Sequence, residues 1–103
     1  MYQAIFTIVD KGNAEHVIDA AVAAGSRGGT IINGRGSGVH ETARMFGFEI
    51  EPEKEVVLVL ALQQDTENIV TSIHDSMDLD KPGTGIVFVQ DVARVRGVYT
   101  PNR

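Results

Sequence analysis

The sequence predicts an α+β domain in which two β-α-β units flank a long irregular loop. A strand-like run, a helical pattern and a second strand-like run follow one another twice along the chain. The piece between the two units, residues 35–54, shows no clear hydrophobic period and begins in a glycine-rich stretch. The length of 103 residues fits one domain over residues 1–103.

The first unit is defined by a change of hydrophobic period. Residues 2–9 alternate, which predicts a strand with apolar side chains on both faces. Asn13 predicts a helix start because its side chain is a good N-cap, and Gly25 predicts the helix end. A second strand is expected over about residues 28–33. The predicted inner face of the helix is narrow and alanine-rich: Ala14, Val17, Ile18, Ala21 and Val22.

The second unit begins with an apolar run, residues 56–62, whose length and charged borders predict a strand covered on both faces. Residues 64–66 offer caps for a second helix, and the segment 78–85, which contains Pro82 and two glycines, cannot continue that helix. Residues 86–89 are predicted as the fourth strand, followed by an irregular or strand-like tail. The expected inward residues of the second helix are Ile69, Val70, Ile73 and Met77.

This order of elements, βαββαβ, is the ferredoxin-like split βαβ arrangement, in which the first and third strands are central. Two helices cover only one face of a four-stranded sheet. A third strand that is apolar on both faces needs a second cover, since burial stabilises by roughly 25 cal/mol per Å² of apolar area. The simplest cover is another copy of the chain, so we expect a homo-oligomer whose open sheet faces turn inward.

The composition excludes several classes of protein. The chain has no cysteine, which excludes a disulfide framework and a thiolate zinc site. A formal net charge of −5 disfavours nucleic acid as the main partner. No apolar run approaches the length of a membrane helix, and the first strand is too short for a signal peptide. We therefore expect a cytoplasmic protein with no membrane insertion.

Two glycine segments are candidate anion sites. Gly34, Gly36 and Gly38 alternate with other residues, and Thr84 lies between Gly83 and Gly85. Backbone N–H groups of such segments can bind phosphate, because no Cβ blocks the approach. The alternative is purely structural: a β-bulge or hairpin kink for the first segment and a helix-to-strand loop for the second.

Other candidates are single side chains or short runs. Arg35 and Arg96 are candidates for bidentate phosphate contacts, and the alternative for each is an exposed surface arginine. Met45, Phe46 and Phe48 are large apolar residues in an otherwise polar loop, which suggests docking onto a partner or packing on the parent subunit. The alternating glutamates of residues 49–55 predict a solvated acidic edge, a partner-recognition surface or a protected edge strand.

Catalysis and metal binding find little support. The three histidines, His16, His40 and His74, are scattered and have no partner at ligand spacing, so no metal site is predicted. Neither Ser37 nor Ser76 has a histidine at motif spacing, and no carboxylate pair lies in an apolar setting. The sequence therefore predicts a binding protein rather than an enzyme.

Three short pieces of sequence resemble one family. They are AGSRGGT at residues 24–30, RGSG at residues 35–38 and GTGIVFV at residues 83–89. The first is similar to the segment after helix 1 of the PII signal-transduction proteins (nitrogen regulatory protein P-II). The second resembles the start of their long T-loop, and the third resembles their B-loop and fourth strand. The resemblance covers nearly the whole chain in element order.

The resemblance implies a trimer with an adenine nucleotide (AMP, ADP, ATP or a cyclic nucleotide) in each cleft between subunits. The T-loop-like segment, residues 35–54, would control a partner enzyme or membrane transporter. Met45, Phe46 and Phe48 of this segment would meet that partner. The nucleotide-binding residues implied by position, together with the candidate arginines, are Thr30, Arg35, Gly36, Ser37, Gly38, Leu60, Leu62, Gly83, Thr84, Gly85 and Arg96. The two glycine segments would form opposite walls of the cleft, contributed by different subunits.

The sequence departs from the family pattern at several positions. Thr84 and Ile86 stand where the family usually has an acidic residue and a phosphate-binding lysine. No glutamine lies between Gly34 and Lys54, so 2-oxoglutarate binding is not expected. We therefore expect a PII-like sensor with an altered nucleotide preference. The alternative is a CutA-like trimeric divalent-metal tolerance protein, which has the same scaffold; the missing cysteine and scattered histidines count against it.

Overall fold

The computed structural model describes residues 1–36, 43–45, 48–50 and 52–98. Two β-α-β units are joined by a connection that contains a short ribbon, so the predicted ferredoxin-like βαββαβ order is confirmed. The elements in chain order are β1 (Tyr2–Asp10), α1 (Ala14–Ala23), β2 (Thr30–Arg35), β3 (Ala43–Met45), β4 (Phe48–Ile50), β5 (Glu53–Leu62), α2 (Gln63–Met77) and β6 (Ile86–Asp91).

The main sheet is antiparallel, and its strand order is β2-β5-β1-β6. The two long strands, β1 and β5, are central, as the sequence predicted. Most described residues of the 35–54 segment are not irregular as predicted but belong to strands: Arg35 ends β2, Glu53 and Lys54 begin β5, and β3 pairs with β4. The pairing of β2 with β5 continues to Arg35, so the second strand extends past its predicted end at residue 33.

The helices cover one face of this sheet. Ile5, Thr7 and Val9 of β1 point to the helices and lie opposite Val59, Val57 and Glu55 of β5. In α2, Ile69 and Ile73 are buried as predicted, while Val70 and Met77 pack at the margin of the core. The prediction for Val22 of α1 was wrong, because its side chain is 49% exposed. The buried stripe of α1 is Ala14, Val17, Ala20 and Ala21.

Helix α1 begins after Asn13 as predicted but is capped by another residue, and α2 begins earlier than predicted. Asn13 is the N-cap of α1 but its side chain makes no capping bond; instead Glu55 of β5 accepts hydrogen bonds from the Gly12 and Ala14 N–H groups, at 2.7 and 3.0 Å. Helix α2 follows β5 without a loop, so Leu62 occupies its N-cap position and residues 64–66 lie inside the helix. Glu55 therefore belongs to a central strand and not to an acidic edge.

The opposite face of the sheet, here called the open face, is apolar and has no helix over it in the described part of the chain. The strand register places Phe6, Leu58 and Phe88 side by side on this face, with the Phe6 and Phe88 rings stacked at 5.1 Å. Its most exposed large side chains are Ile32, Leu60, Leu62, Ile86 and Phe88. The sequence prediction of a second apolar face is confirmed. None of the described helices is long and apolar enough to cross a membrane.

Candidate functional site

A cavity of about 450 Å³ opens at one end of the open face, where β2 ends and β6 begins. Residues 34–36 line one side of it and residues 83–85 line another. The two glycine segments therefore meet in one cavity of one chain, whereas the sequence predicted walls from different subunits. The antiparallel sheet explains this result, because the end of β2 and the start of β6 lie at the same end of the sheet.

The floor of the cavity is a row of three aliphatic side chains. Val56, Ile8 and Ile86 lie directly opposite one another on β5, β1 and β6. Asp10 and Lys54 form the next pair on the same face of the sheet, and both also line the cavity. An apolar floor bordered by charged groups suits an amphipathic ligand that has a flat apolar part and a charged part.

Ion pairs hold the base of the 35–54 segment. Lys54 Nζ lies 2.6 Å from Asp10 Oδ1, and the Lys54 side chain is only 13% exposed. Lys11 Nζ lies 2.7 Å from Glu53 Oε2, and the Lys11 N–H donates to the Glu53 carbonyl at 3.2 Å. The hydrogen bond from Lys11 is the main reason why the pKa of Glu53 lies below its usual value. The turn after β1 is thus tied to the start of β5.

The wall formed by residues 34–36 carries one cation, Arg35. The Gly36 N–H donates to the Pro52 carbonyl at 3.2 Å, so it continues the β2–β5 pairing instead of facing a ligand. Arg35 is exposed, lines the cavity, and forms no hydrogen bond or ion pair with any described residue. In this conformation the anion-binding capacity of this wall resides in the Arg35 guanidinium.

The wall formed by residues 83–85 offers backbone groups, not the threonine hydroxyl. Thr84 Oγ1 donates to the carbonyls of Asp78 and Lys81, at 2.9 and 3.0 Å, so the hydroxyl proton is already used within the loop. The N–H groups of Gly83 and Gly85 have no hydrogen-bond acceptor among the described residues.

Gly85 also has a packing role. A Cβ at this position would lie 2.7 Å from the Ile8 carbonyl oxygen, and the φ angle of +146° already disfavours other residues. The glycine is therefore required where β6 begins beside β1.

The remaining described candidates lie elsewhere. Leu60 and Leu62 line a separate cavity of about 210 Å³ at the opposite end of β5. Leu62 lies six positions after Val56, which corresponds to about 20 Å along the strand. Thr30 begins β2 and lies opposite Leu58, and Arg96 is exposed in the segment after β6. Within one chain these four residues do not join the glycine-lined cavity.

Three residues of the predicted site, Ser37, Gly38 and Phe46, lie outside the described residues, as does His40. Met45 ends β3 and Phe48 begins β4, and the two residues pair across the ribbon. The described residues of the predicted partner surface, Met45 and Phe48, thus lie in a two-stranded ribbon that comes between β2 and β5 in the chain.

Sequence reasoning missed six cavity residues: Ile8, Val9, Asp10, Lys54, Val56 and Ile86. Their common signal is the strand register, which brings the last residues of β1 beside the first residues of β5 and β6. The sequence predicted the strands but not this alignment. Among the described residues no three His, Cys, Asp or Glu side chains group as a metal site.

The fold and cavity together define a ferredoxin-like domain with a glycine-lined cavity at which the two ends of the 35–54 segment meet. The family model for nitrogen regulatory protein P-II matches residues 2–101. The chain therefore belongs to the P-II family, and it is a PII-like signal-transduction regulator. Proteins of this family are generally trimeric regulators of partner proteins. A search of curated protein sequences gave no significant match.

Proposed function

We propose that this protein is a homotrimeric regulator that binds an adenine nucleotide in each inter-subunit cleft and controls a partner protein through residues 35–54. The observation that carries the proposal is the meeting of both glycine segments in one cavity on an apolar, uncovered sheet face. The family membership supports the regulatory role. Such a regulator acts in the cytoplasm, where adenine nucleotides are available.

The cavity supplies complementary surfaces for the two parts of a nucleotide. The apolar row of Ile8, Val56 and Ile86 suits a base or ribose face. Arg35 and the unbonded N–H groups of Gly83 and Gly85 suit phosphate oxygens. The positive charge of Lys54 is already offset by Asp10, so among the described lining residues Arg35 is the cation that we expect to meet the phosphate. We therefore expect AMP or cyclic AMP to bind more tightly than ATP, because a triphosphate carries more charge than this lining offsets.

A neighbouring subunit would complete the site. The cavity is open toward the open face, and Leu60 and Leu62 present a second, separate apolar surface about 13 to 20 Å away along β5. In a closed ring of subunits, one end of each sheet meets the other end of its neighbour. The proposed cleft therefore combines Arg35 and residues 83–85 of one subunit with Thr30, Leu60, Leu62 and Arg96 of the next.

The position of the cavity explains how a ligand would control a partner. Arg35 and Lys54 line the cavity, and these two residues are the ends of the 35–54 segment. A ligand that binds Arg35 would change the preferred conformation of this segment and so alter the surface offered to an enzyme or membrane transporter. The ribbon that holds Met45 and Phe48 is the part of that surface we expect to contact the partner.

Calorimetry with AMP, cyclic AMP, ADP and ATP tests the proposal. We expect binding to the wild-type protein and about a tenfold loss of affinity for Arg35→Ala, because one charge-assisted contact is removed. Arg94→Ala is the matched control: Arg94 is an exposed arginine that does not line the cavity. Absence of binding by all four nucleotides, or equal loss of affinity in both variants, would overturn the nucleotide site.

A further inference from the structure

His74 lies in the last turn of α2, where it contacts two carboxylates. Its Nδ1 is 3.2 Å from Asp75 Oδ1, and its Nε2 is 3.0 Å from Asp80 Oδ1. Asp75 belongs to the same helix, but Asp80 belongs to the loop that follows it. The Nε2 contact therefore joins a helix to a loop, and the side chain of His74 is 39% exposed.

That loop leads directly to the cavity. Asp78 ends α2 in the left-handed conformation, and the Leu79 N–H donates to the His74 carbonyl at 3.1 Å. The Thr84 hydroxyl then closes the loop on itself through the Asp78 and Lys81 carbonyls. Gly83, Thr84 and Gly85 form the cavity wall at the end of this loop. Asp80 and the cavity wall thus belong to one short segment that is held together by its own hydrogen bonds.

The charge state of His74 decides whether both contacts exist. Each ring nitrogen must carry a proton to donate to its carboxylate, which is true only of the imidazolium form. The hydrogen bonds to Asp75 and then Asp80 raise the pKa of His74 above its usual value. Among the described residues of α1, β1, β5 and β6, against which α2 packs, no charged side chain adds to this effect. Asp78 and Lys81, the other charges of the loop, pair with each other at 3.5 Å.

We infer that His74 is a positioning residue for the cavity: in its imidazolium form it holds the loop of residues 78–85 against α2 through Asp80. When the proton is lost, His74 can donate to only one of the two carboxylates, and its charge attraction to Asp80 disappears in either tautomer. The loop is then held less tightly against α2, and the cavity wall gains mobility. Ligand affinity is then expected to fall as pH rises through the His74 titration. The affinity part of this inference rests on the proposed function, but the behaviour of the loop does not.

The first test needs no ligand. Backbone NMR relaxation of Gly83 and Gly85 is measured across the His74 titration in wild type, His74→Gln and His16→Gln. We expect the wall to become more mobile at high pH in wild type and in His16→Gln, whose exposed histidine lies on α1, and to show no pH-dependent change in His74→Gln. Unchanged relaxation in wild type, or the same pH dependence in His74→Gln, would overturn the inference.

The second test measures affinity for AMP over the same pH range. We expect the wild-type affinity to fall by about two- to five-fold more than that of His74→Gln, the range of effects that exposed ion pairs reach. The phosphate of AMP also titrates near pH 6, but this contribution is common to both proteins. Binding with identical pH profiles would overturn the positioning role and leave the proposed function intact, whereas no binding at any pH would overturn the proposed function alone.

Discussion

At the scale of single residues, Thr7 has an unusual environment for a polar side chain. It lies in the core beneath the helices, it is 1% exposed, and its hydroxyl has no hydrogen-bond partner among the residues that the structure describes. Leaving a buried hydroxyl unpaired costs about 1–3 kcal/mol. We therefore expect Thr7→Val, which keeps the shape and removes the hydroxyl, to raise the free energy of unfolding by about 1 kcal/mol in urea denaturation.

Thr66 provides the matched control for this experiment. It is also buried, at 7% exposure, but its hydroxyl donates to the Leu62 carbonyl at 3.3 Å. Thr66→Val removes a hydrogen bond and should leave stability unchanged or lower it. A loss of stability in Thr7→Val as large as that in Thr66→Val would contradict the account of Thr7 as an unsatisfied core group.

At the scale of elements, the start of α1 depends on a strand that is distant in sequence. Glu55 supplies the acceptor that the Asn13 side chain does not, and a carboxylate is favourable near a helix N-terminus. We expect Glu55→Ala to lower the free energy of unfolding by about 1 kcal/mol, measured by urea denaturation followed by circular dichroism. Glu67→Ala, an exposed position on α2, is the control and should change little.

The tie between the β1–α1 turn and β5 predicts a dependence of stability on pH. Lys11 lowers the pKa of Glu53 in the folded protein, so the folded state holds this proton less tightly than the unfolded state does. The contribution of Glu53 is present above pH 4.5, the ordinary value, and is lost as pH falls through the lower folded value. Thermal midpoints measured between pH 3 and 6 should therefore fall less steeply toward acid for Glu53→Gln than for wild type.

At the scale of the whole molecule, the open face predicts the assembly. Phe88 and Leu60 are 41% and 42% exposed on an apolar surface that another chain can cover. We expect wild-type protein to sediment at three times the 11.1 kDa chain mass. Phe88→Glu should shift the equilibrium toward the monomer, because a buried unpaired charge opposes association.

Val22→Glu is the control for the assembly experiment. Val22 is 49% exposed, but it lies on α1, on the helical side of the sheet. This variant should sediment like the wild type. A monomeric wild type at micromolar concentration, or dissociation of both variants alike, would contradict assembly through the open face.

The sequence predicted the features that depend on local pattern and missed those that depend on register. The apolar run of residues 56–62 predicted a central strand that is apolar on both faces, and the structure confirms the central position and the two apolar faces. The Lys54–Asp10 pair and the aliphatic floor could not be predicted, because they require the alignment of β1 with β5. The Thr84 hydroxyl illustrates the same limit: residue type suggested a ligand donor, but the loop geometry commits its proton to Asp78 and Lys81.

The central claim is that each nucleotide site combines the cavity of one subunit with the Leu60–Leu62 end of the next, and a mixing experiment tests it most directly. Arg35→Ala chains and Leu62→Ala chains, neither of which adds a charge to the open face, are refolded together, and AMP binding is measured for each variant alone and for the mixture. In random mixed trimers about one quarter of the clefts would combine an intact Arg35 with an intact Leu62. The account predicts that the mixture regains AMP binding in this fraction of sites while neither variant alone binds well. A mixture that binds no better than its two components, although sedimentation shows that trimers have formed, would contradict it.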